Sequence, residues 1–515
     1  MGSHLPNEKK FISPDYLILI SFIILSIFGI FFHEMSETEM QNWVVAEESN
    51  TLQNLWYNMR YEPHPFLWHT LLFFISKIFH HYLAGQILHL IINATAIFLI
   101  FKYSPFPKKY NWIFAFGYFP FYEYNLITRN YALCFLFIIL FIISFKQRYH
   151  HYLVLFSIAG LLANTHMYGF VISLSFILLT IIDYHSEKRN LSVDQKRQFL
   201  IGAFIYLAIS VATVYYTRLP DDSILNIDLN HLFSFGRIGE AILGIWKSML
   251  PVPRFFDNGF WNTNFFSSIY PPLFVPLSAI LYIFLLAVFH KKPFALGLFL
   301  VSSASFLFLF FISKTTEMRH FGFFFLSFFA SLWIASFYEE SSSLTWDRLS
   351  HHIDRYLRTL NRPLLTLLLL IQLLAGTLFY ICDLSMPFSQ AKNVTWYLRS
   401  EGLSNELIAV DRYHVIPSIT GYLDKSVYSL VTEKKEKFLV WNNEKRKILS
   451  EKELLDAVSK ATVNHTGNMI IILNYPLQTA EDKLTTHSNS RIHLMQKFEG
   501  SMCRYENFYV YAVSK

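Results

Sequence analysis

Charged residues are scarce in this chain, and cysteine, glycine and proline are not abundant. Asp, Glu, Lys and Arg make up 16% of the 515 residues, whereas soluble domains carry about 25%. We find no internal repeat of about 20 to 50 residues, which argues against a solenoid. The three cysteines are too widely spaced to predict a metal site, and a net charge of +6 is too modest to predict nucleic-acid binding. With 53% hydrophobic residues, the composition predicts a membrane protein.

Long apolar stretches recur through the first three-quarters of the chain. The hydrocarbon core of a bilayer, about 30 Å thick, needs roughly 20 apolar residues to cross as a helix, and shorter stretches suffice where protein surrounds them. The pattern therefore predicts a polytopic α-helical membrane protein with eleven spans, at residues 15–33, 82–103, 111–125, 129–146, 151–164, 166–184, 198–216, 268–290, 293–313, 320–337 and 362–381.

Lysine and arginine accumulate in the short loops at one end of these spans. Cytoplasmic loops are enriched in Lys and Arg, so the N-terminus is predicted to be cytoplasmic and the C-terminal domain extracytoplasmic. The basic clusters are Lys9/Lys10, Lys102/Lys108/Lys109, Lys146/Arg148, Lys188/Arg189/Lys196/Arg197, Lys291/Lys292 and Arg348/Arg355/Arg358/Arg362.

Two long loops and a soluble domain then fall on the outer side of a membrane module at residues 1–384. Residues 34–81 form the first outer loop and residues 217–267 the second. The apolar stretch at 64–79 is placed along the outer interface, because a span there would move a basic loop outside. Residues 385–515 are predicted to be a small α/β domain.

The C-terminal domain is predicted from a change in the length of the apolar runs. They shorten to strand length at 406–410, 437–441, 469–473 and 508–513, with a helical segment at 451–460 between them. If this domain is extracytoplasmic, a disulfide between Cys382 and Cys503 remains open as an alternative to two free thiols.

The first outer loop contains two amphipathic segments, with Glu37 and Glu39 ahead of the first. Apolar residues recur at helical spacing and are suited to a membrane surface. A carboxylate partly shielded from water has a raised pKa and can act as a general base. The alternative is structural, because Ser36-x-x-Glu39 is a capping-box pattern. The sequence leaves both interpretations open.

Other polar residues lie at the same outer ends of the apolar stretches. The loop closes on a Pro-rich turn that holds candidate pocket residues beside the next helix, while an arginine at a span boundary could bind a phosphate as a bidentate donor. An ion pair between Glu123 and Arg129 is the structural alternative. The candidates are Arg60, Tyr61, Glu62 and His64 in the loop, Glu123, Arg129 and Tyr131 between two spans, and His166, Tyr168, Arg319 and His320 at two later span starts.

Taken in order, these residues resemble the motifs of the glycosyltransferase C superfamily. The resemblance is to the branch that contains protein mannosyltransferases and the lipid A aminoarabinose transferase, and it covers about residues 1–340. The motifs that carry it are Thr38-Glu39-Met40, His64-Pro65-Phe66-Leu67, Arg129-Asn130-Tyr131-Ala132-Leu133, Thr165-His166-Met167-Tyr168 and Arg319-His320-Phe321.

The resemblance implies transfer of a sugar, with inversion, from a polyprenyl-phosphate donor to an extracytoplasmic acceptor that is a glycan, a lipid or a protein. Glu39, Glu37 or Glu62 would deprotonate the acceptor, and Arg129 and Arg319, with Tyr131 and His320, would bind the donor phosphate. Arg60, Tyr61, His64, Glu123, His166 and Tyr168 would line the pocket. It implies no required cofactor, does not indicate a divalent metal, and implies a bacterial inner-membrane location, with the lipid bilayer as a partner.

The sequence departs from the family pattern where the family commonly has Asp-Glu. This chain has Thr38-Glu39, preceded by Glu37, so the aligned aspartate is missing. Phe66 replaces the usual second proline and Asn130 the proline after the arginine, which alters local shape more than chemistry.

Three other functions remain open from the sequence. A transporter is disfavoured, because we see neither paired halves nor midplane charges. A lipid-linked polysaccharide polymerase or ligase would concentrate its chemistry in a late loop, here residues 217–267 with Arg237 and Arg254. A scaffold without catalytic activity is the third alternative.

Overall fold

The computed structural model describes residues 13–225, 234–313, 316–341, 347–443, 447–463, 468–478 and 491–514, and within them every side chain except those of 347–361. The predicted basic residues Lys9 and Lys10, and the side chains of Arg348, Arg355 and Arg358, therefore lie outside the described residues.

Helices dominate the chain up to Ser385. Apolar residues fill most of them, and only α2, α3, α4, α6, α11 and α12 are short or more polar. The helices are α1 (Pro14–Phe32), α2 (Glu37–Glu48), α3 (Leu52–Asn58), α4 (Leu67–Ser76), α5 (Leu83–Tyr103), α6 (Lys108–Ala115), α7 (Tyr131–Phe145), α8 (Tyr152–Ala163), α9 (Met167–Glu187), α10 (Val193–Tyr216), α11 (Phe235–Met249), α12 (Phe265–Ile269), α13 (Pro271–Ala287), α14 (Pro293–Ile312), α15 (Met318–Ala335) and α16 (Asp347–Ser385).

The predicted fold class is confirmed, since the chain is a multi-pass helical membrane protein with a small C-terminal sheet domain. Within the described ranges, 7 helices are long and apolar enough to cross a membrane, namely α1, α5, α9, α10, α14, α15 and the part of α16 from Arg362. The predicted spans at 129–146, 151–164 and 268–290 form the shorter apolar helices α7, α8 and α13.

One predicted span is wrong as a continuous helix. Residues 111–125 divide into α6 and a π-helix at Tyr118–Glu123. The break falls at Gly117, whose backbone is extended, and Pro120 has no N–H for a regular helical hydrogen bond. At this break the side chain of Asn93 donates to the carbonyl oxygens of Pro120 and Tyr124, at 2.9 and 2.8 Å.

The C-terminal domain is a mixed six-stranded sheet with helices α17 (Ala391–Ser400), α18 (Val415–Leu423) and α19 (Glu451–Val463). The central pair, β1 and β4, is parallel, and the strand order is β3-β2-β1-β4-β6-β5. The strands are β1 (Leu407–Val410), β2 (Val427–Ser429), β3 (Lys434–Glu436), β4 (Met469–Leu473), β5 (Arg491–Phe498) and β6 (Phe508–Ser514).

The predicted strand at 437–441 is wrong, whereas the other three predicted strands and the helix at 451–460 are confirmed. Residues 437–441 form a loop because their backbone hydrogen bonds go elsewhere. Gln41 Nε2 donates to the Leu439 carbonyl oxygen at 2.9 Å, and the Leu439 N–H donates to Gln41 Oε1 at 2.9 Å. Cys134, Cys382 and Cys503 are free thiols.

The first outer loop lies against the C-terminal domain. The apolar side of α2 was predicted to face a membrane surface, and this is wrong, because Met40, Val44 and the neighbouring apolar residues are fully buried. A Cβ atom on Gly421 of α18 would lie 2.3 Å from Met40 Sδ, so the two helices approach closely. The second outer loop is tied to the same domain, since the Trp261 N–H donates to the Met502 carbonyl oxygen at 3.1 Å.

Candidate functional site

The first turns of several helices meet beneath the C-terminal domain. Tyr131 begins α7, His166 caps the start of α9, and His320 lies in the first turn of α15. The ring centroids of Tyr131 and His166 are 5.0 Å apart, and those of Tyr131 and His320 are 6.3 Å apart. Because helix N-termini present unpaired N–H groups and positive dipole ends, their convergence favours an anion.

Two buried arginines stand at this convergence without full hydrogen bonding. Arg129 is 5% exposed, and its Nε and Nη1 atoms have no hydrogen-bond partner among the described residues. Arg319 is 6% exposed; it forms an ion pair with Glu317, while its Nε has no partner in the same part of the chain. Burying N–H donors unpaired costs roughly 1–3 kcal/mol each, so these guanidinium groups are suited to an anionic ligand.

Aromatic and imidazole rings surround the arginines. His64 lies 4.8 Å from His166, and Tyr168 lies 5.0 Å from His320, measured between ring centroids. The pKa of His64 is well below its ordinary value because of burial, and the charge of nearby groups including Arg129 lowers it further. The imidazole is therefore neutral at pH 7, and the positive charge of the site comes from the arginines.

Glu37 is the predicted carboxylate that faces these groups. Its Oε1 atom is buried and accepts no hydrogen bond from the described residues. Burial, together with the charge of Glu506, raises the pKa of Glu37 to about 8, while Arg129 and Arg319 act in the opposite direction. A carboxylate with this pKa can exchange a proton near neutral pH.

Glu39 has a different environment, although it is only two residues away. It completes the predicted capping box, in which Oε2 accepts from the Ser36 N–H at 3.0 Å and from the Ser36 hydroxyl at 2.9 Å. Oε1 accepts from the Thr128 N–H at 2.6 Å, and His33 Nε2 lies 3.2 Å away. Burial alone would raise the pKa of Glu39, but His33 and these hydrogen bonds hold it below its ordinary value.

This hydrogen bonding gives Glu39 a structural position next to the arginine. Thr128 directly precedes Arg129, so the carboxylate of α2 holds the backbone that presents the guanidinium. On its other side, His33 Nδ1 lies 2.8 Å from Asp383 Oδ2 at the end of α16. One histidine between two carboxylates thus connects α1, α2 and α16.

Glu62 lies between the first outer loop and the C-terminal domain. Its Oε1 accepts from Gln41 Nε2 at 3.0 Å and from the indole N–H of Trp441 at 3.1 Å. Burial raises its pKa even though both hydrogen bonds and the charge of Arg129 lower it. Glu62 therefore connects the residues around Arg129 to the loop at 437–441.

Glu123 and Arg129 are not paired with each other in this structure. The Oε2 atom of Glu123 accepts from the Tyr118 hydroxyl at 2.6 Å and from the Trp261 indole N–H at 3.3 Å. The Trp261 ring also lies 5.5 Å from the guanidinium carbon of Arg319. Glu123 therefore belongs to the Arg319 side of the site.

Two predicted pocket residues lie apart from this cluster. Arg60, which is half-buried, stacks on the Tyr57 ring at 3.9 Å and donates to the Tyr57 carbonyl oxygen at 2.8 Å. The Tyr61 hydroxyl donates to Asp222 Oδ2 at 2.8 Å in the second outer loop. Tyr61, which is buried, therefore joins the two loops, whereas Arg60 contacts only residues of its own loop.

Sequence reasoning missed several residues near the site. Glu506 precedes β6, and its Oε1 accepts from the Glu37 N–H at 2.8 Å, while Oε2 accepts from the Ser389 hydroxyl at 2.7 Å. His69 is buried in α4 with neither ring nitrogen bonded to a described residue. Trp441 was assigned to a strand. No motif points to Glu506 or Trp441, because their proximity arises only when the domain docks.

In the described ranges, no group of three or more His, Cys, Asp or Glu side chains converges to hold a metal ion.

Comparisons with known proteins find similarity among solved structures. No family model and no curated protein matches the chain. Among solved structures, the chain is similar to ArnT from Cupriavidus metallidurans bound to undecaprenyl phosphate, with a TM-score of 0.46 and 10% sequence identity. The similarity covers 96% of this chain and 97% of that chain.

Proposed function

We propose that this protein is an integral-membrane glycosyltransferase that moves a sugar from a polyprenyl-phosphate donor to an extracytoplasmic acceptor. The observation that carries the proposal is the pair of buried guanidinium groups, Arg129 and Arg319, each of which keeps N–H donors without a hydrogen-bond partner among the described residues even though Arg319 is ion-paired with Glu317. Membrane proteins rarely bury such charge without a functional role. A lipid-linked phosphate supplies both an anion for the arginines and an apolar chain for the surrounding helices.

The arginines act on the leaving group. As the bond between the anomeric carbon and the phosphate oxygen breaks, negative charge develops on the phosphate. Fixed N–H donors and helix N-termini stabilise that charge without reorganisation. The neutral ring of His64 and the hydroxyl of Tyr131, which has no partner in the described part of the chain, would bind sugar or phosphate oxygens.

Glu37 is our candidate for the base. In the proposed step, the acceptor hydroxyl attacks the anomeric carbon, its proton passes to Glu37, and polyprenyl phosphate leaves. A pKa of about 8 fits this role, because the ionised carboxylate is basic enough to take a proton and becomes the main form as the pH rises above about 8. Glu39 and Glu62 are proposed as positioning residues, since their oxygens already accept hydrogen bonds.

The test uses purified full-length protein with a panel of polyprenyl-phosphate sugars and membrane extract as acceptor, following release of free polyprenyl phosphate. We expect release with at least one donor. Arg129→Ala should lower the rate by about 10²–10³-fold, as expected for loss of a preorganised donor to a developing anion. No release with any donor would overturn the proposal.

A matched control is available in the first outer loop. Arg60 is also an arginine in an aromatic environment, but it is only half-buried and already donates to the Tyr57 carbonyl oxygen in an exposed hydrogen bond. Arg60→Ala should therefore leave release within about two-fold of the wild-type rate, because surface substitutions usually change little. Equal losses in both variants would contradict the role given to Arg129.

A further inference from the structure

The C-terminal domain has a cluster of polar residues of its own, at the carboxyl ends of β1 and β4. These strands are parallel neighbours, with Val410 opposite Ile472. From β1 the chain turns to β2 on one side, and it returns to β4 on the other side after β3 and α19. Chain connections that leave in opposite directions open a crevice outside the strand ends, where open α/β sheets commonly bind ligands.

Polar residues occupy both strand ends in this crevice. Asp411 follows β1 and is 2% exposed; its Oδ2 accepts from the Tyr475 hydroxyl at 2.6 Å. Asn474 follows β4, and its Nδ2 lies 2.7 Å from His414 Nε2. The Arg412 guanidinium stacks on the Tyr475 ring at 4.1 Å.

Hydrogen-bonding capacity remains unused in this cluster. The buried atoms Asp411 Oδ1, Arg412 Nε and Asn474 Oδ1 have no hydrogen-bond partner in the described residues. Two acceptors are thus available at the two strand ends, together with one donor, Arg412 Nε, which lies 3.9 Å from Asp411 Oδ2 in an ion pair. Buried polar atoms are almost always bonded, so three of them at a strand-end crevice indicate a polar ligand.

The charge of the crevice selects among polar ligands. Asp411 and Arg412 carry opposite charges, and burial, with the charge of Arg412, lowers the pKa of His414 to about 4, so His414 is neutral at pH 7. A phosphate or sulfate would meet the Asp411 carboxylate without an excess of positive charge. Neutral hydroxyl groups, which both donate and accept, match the available atoms better.

Aromatic rings at the same place favour a sugar ring. The Tyr413 ring lies 5.6 Å from the Trp441 ring, and His414 lies 6.4 Å from Tyr505, which is 62% exposed. Tyrosine and tryptophan offer an apolar face together with a polar edge. The apolar face of a pyranose can stack on such rings while its hydroxyls reach the polar atoms.

The crevice is connected to the site beneath the domain. Trp441 contacts Tyr413 on one side, and its indole N–H donates to Glu62 on the other. We propose that the Asp411–Asn474 crevice binds the neutral carbohydrate portion of the acceptor, with Trp441 between the bound glycan and the transfer site. The identification of the bound glycan as the acceptor rests on the proposed function, whereas glycan binding itself does not.

The experiment measures glycan binding without any transfer reaction. Full-length protein in lipid nanodiscs is titrated with maltohexaose, cellohexaose, mannohexaose and chitohexaose, and binding is followed by saturation-transfer NMR. We expect at least one oligosaccharide to bind, and Asp411→Asn or Asn474→Ala to weaken it about ten-fold or more, because each removes hydrogen bonds from a buried site. Glu401→Gln, an exposed carboxylate in the same domain, is the matched control and should bind normally.

Polyprenyl phosphate binding to the same variants separates the two proposals. Asp411→Asn should keep it, whereas Arg129→Ala should lose it. If no oligosaccharide binds, or if binding is unaffected in both crevice variants, the crevice proposal is wrong even when transfer occurs. If the melting temperature of Asp411→Asn is far below that of wild type, the binding result of Asn474→Ala alone decides the crevice proposal. Glycan binding without polyprenyl phosphate binding would instead overturn the proposed function and leave the crevice standing as a glycan site.

Discussion

At the residue scale, Glu37 and Glu39 lie in the same turn of α2 but differ in their surroundings. Glu39 is surrounded by donors, from Ser36, Thr128 and His33, which stabilise its ionised form. Glu37 is buried near the charge of Glu506, and its Oε1 accepts no hydrogen bond from the described residues. Its neutral form is therefore favoured. The environment, and not the residue type, separates a structural carboxylate from a candidate base.

The pair of variants Glu37→Gln and Glu39→Gln should therefore behave differently. Glu37→Gln should lower the transfer rate by about 10²–10⁴-fold, the usual contribution of a general base, and should leave the fold intact. Glu39→Gln should lower stability by about 1–3 kcal/mol, because the amide keeps only one of the two acceptor oxygens and loses the negative charge of a buried network. Thermal melts in detergent alongside rate measurements check both, and a stable, inactive Glu39→Gln would reverse the assignment.

Stability should also depend on pH through Glu37. Its pKa is raised in the folded state, so the unfolded chain ionises first as the pH increases. The free energy of unfolding of the wild type should therefore decrease through Glu37 as the pH rises from the ordinary glutamate pKa of about 4.3 to about 8. Glu37→Gln removes this loss, and its melting temperature should equal or exceed that of wild type at pH 8. The raised pKa would be contradicted if the melting temperature of Glu37→Gln, taken relative to that of wild type, were lower at pH 8 than at pH 5.

The pH dependence of transfer follows from the same carboxylate. A base must be ionised to accept a proton, so kcat/KM should rise with pH and level off above about pH 8, the pKa of Glu37. A rate profile measured with one donor from pH 5 to 10 checks this. A profile that falls over pH 6 to 8 would indicate an essential acid instead.

At the scale of elements, α15 is the most enclosed of the seven described helices that are long and apolar enough to cross a membrane. In its apolar window 83% of the residues are buried, compared with 22% in α1. Its start carries Arg319 and His320, so packing along the helix determines where the arginine lies. A Cβ atom on Gly322 would come 2.2 Å from Tyr124 Oη and 2.4 Å from the Phe119 ring.

Gly322→Ala should consequently lower both stability and transfer. The added methyl group forces Tyr124 away from the Arg319 carbonyl oxygen, to which it donates at 2.6 Å, and overpacking of this kind costs about 1–3 kcal/mol. Gly297→Ala in α14 is the control, because nothing lies within 4 Å of its added Cβ, and alanine favours a helix. Melting temperatures of the two variants should move in opposite directions or differ clearly; equal effects would refute the packing argument.

For the molecule as a whole, docking of the C-terminal domain completes the site. Glu506 reaches from the domain to the first residue of α2, and it also accepts from the Ser418 hydroxyl at 3.1 Å. Burial raises the pKa of Glu506 to about 7 despite these hydrogen bonds. Its charge is one cause of the raised pKa of Glu37, so the domain influences the chemistry of a residue in the membrane module.

Glu506→Gln should shift the pH profile of transfer toward lower pH. The amide still offers an oxygen to the Glu37 N–H, but the negative charge that disfavours ionised Glu37 is gone. The midpoint of the rise in kcat/KM should fall below that of wild type, with the maximal rate retained within about ten-fold. An unchanged midpoint would show that Glu506 acts only in docking. Glu401→Gln, exposed on α17's end, should leave the midpoint unchanged.

The sequence by itself determined the membrane module and most of its helices. Hydropathy placed α1, α5, α9, α10 and α14 because a bilayer demands long runs of apolar residues, which are visible without any partner. Local patterns predicted the capping box at Ser36 and three strands of the C-terminal domain, since these depend on residues close in sequence.

Only the tertiary structure decided which residues share a site. The segment at 437–441 has the composition of a strand, yet its backbone bonds to Gln41, nearly four hundred residues away, so local preference was overridden. In the same way Glu506 meets Glu37, and Trp441 meets Glu62, through contacts between distant segments. Burial and long-range charge depend on the folded arrangement, and they distinguish Glu37 from Glu39 where the sequence could not.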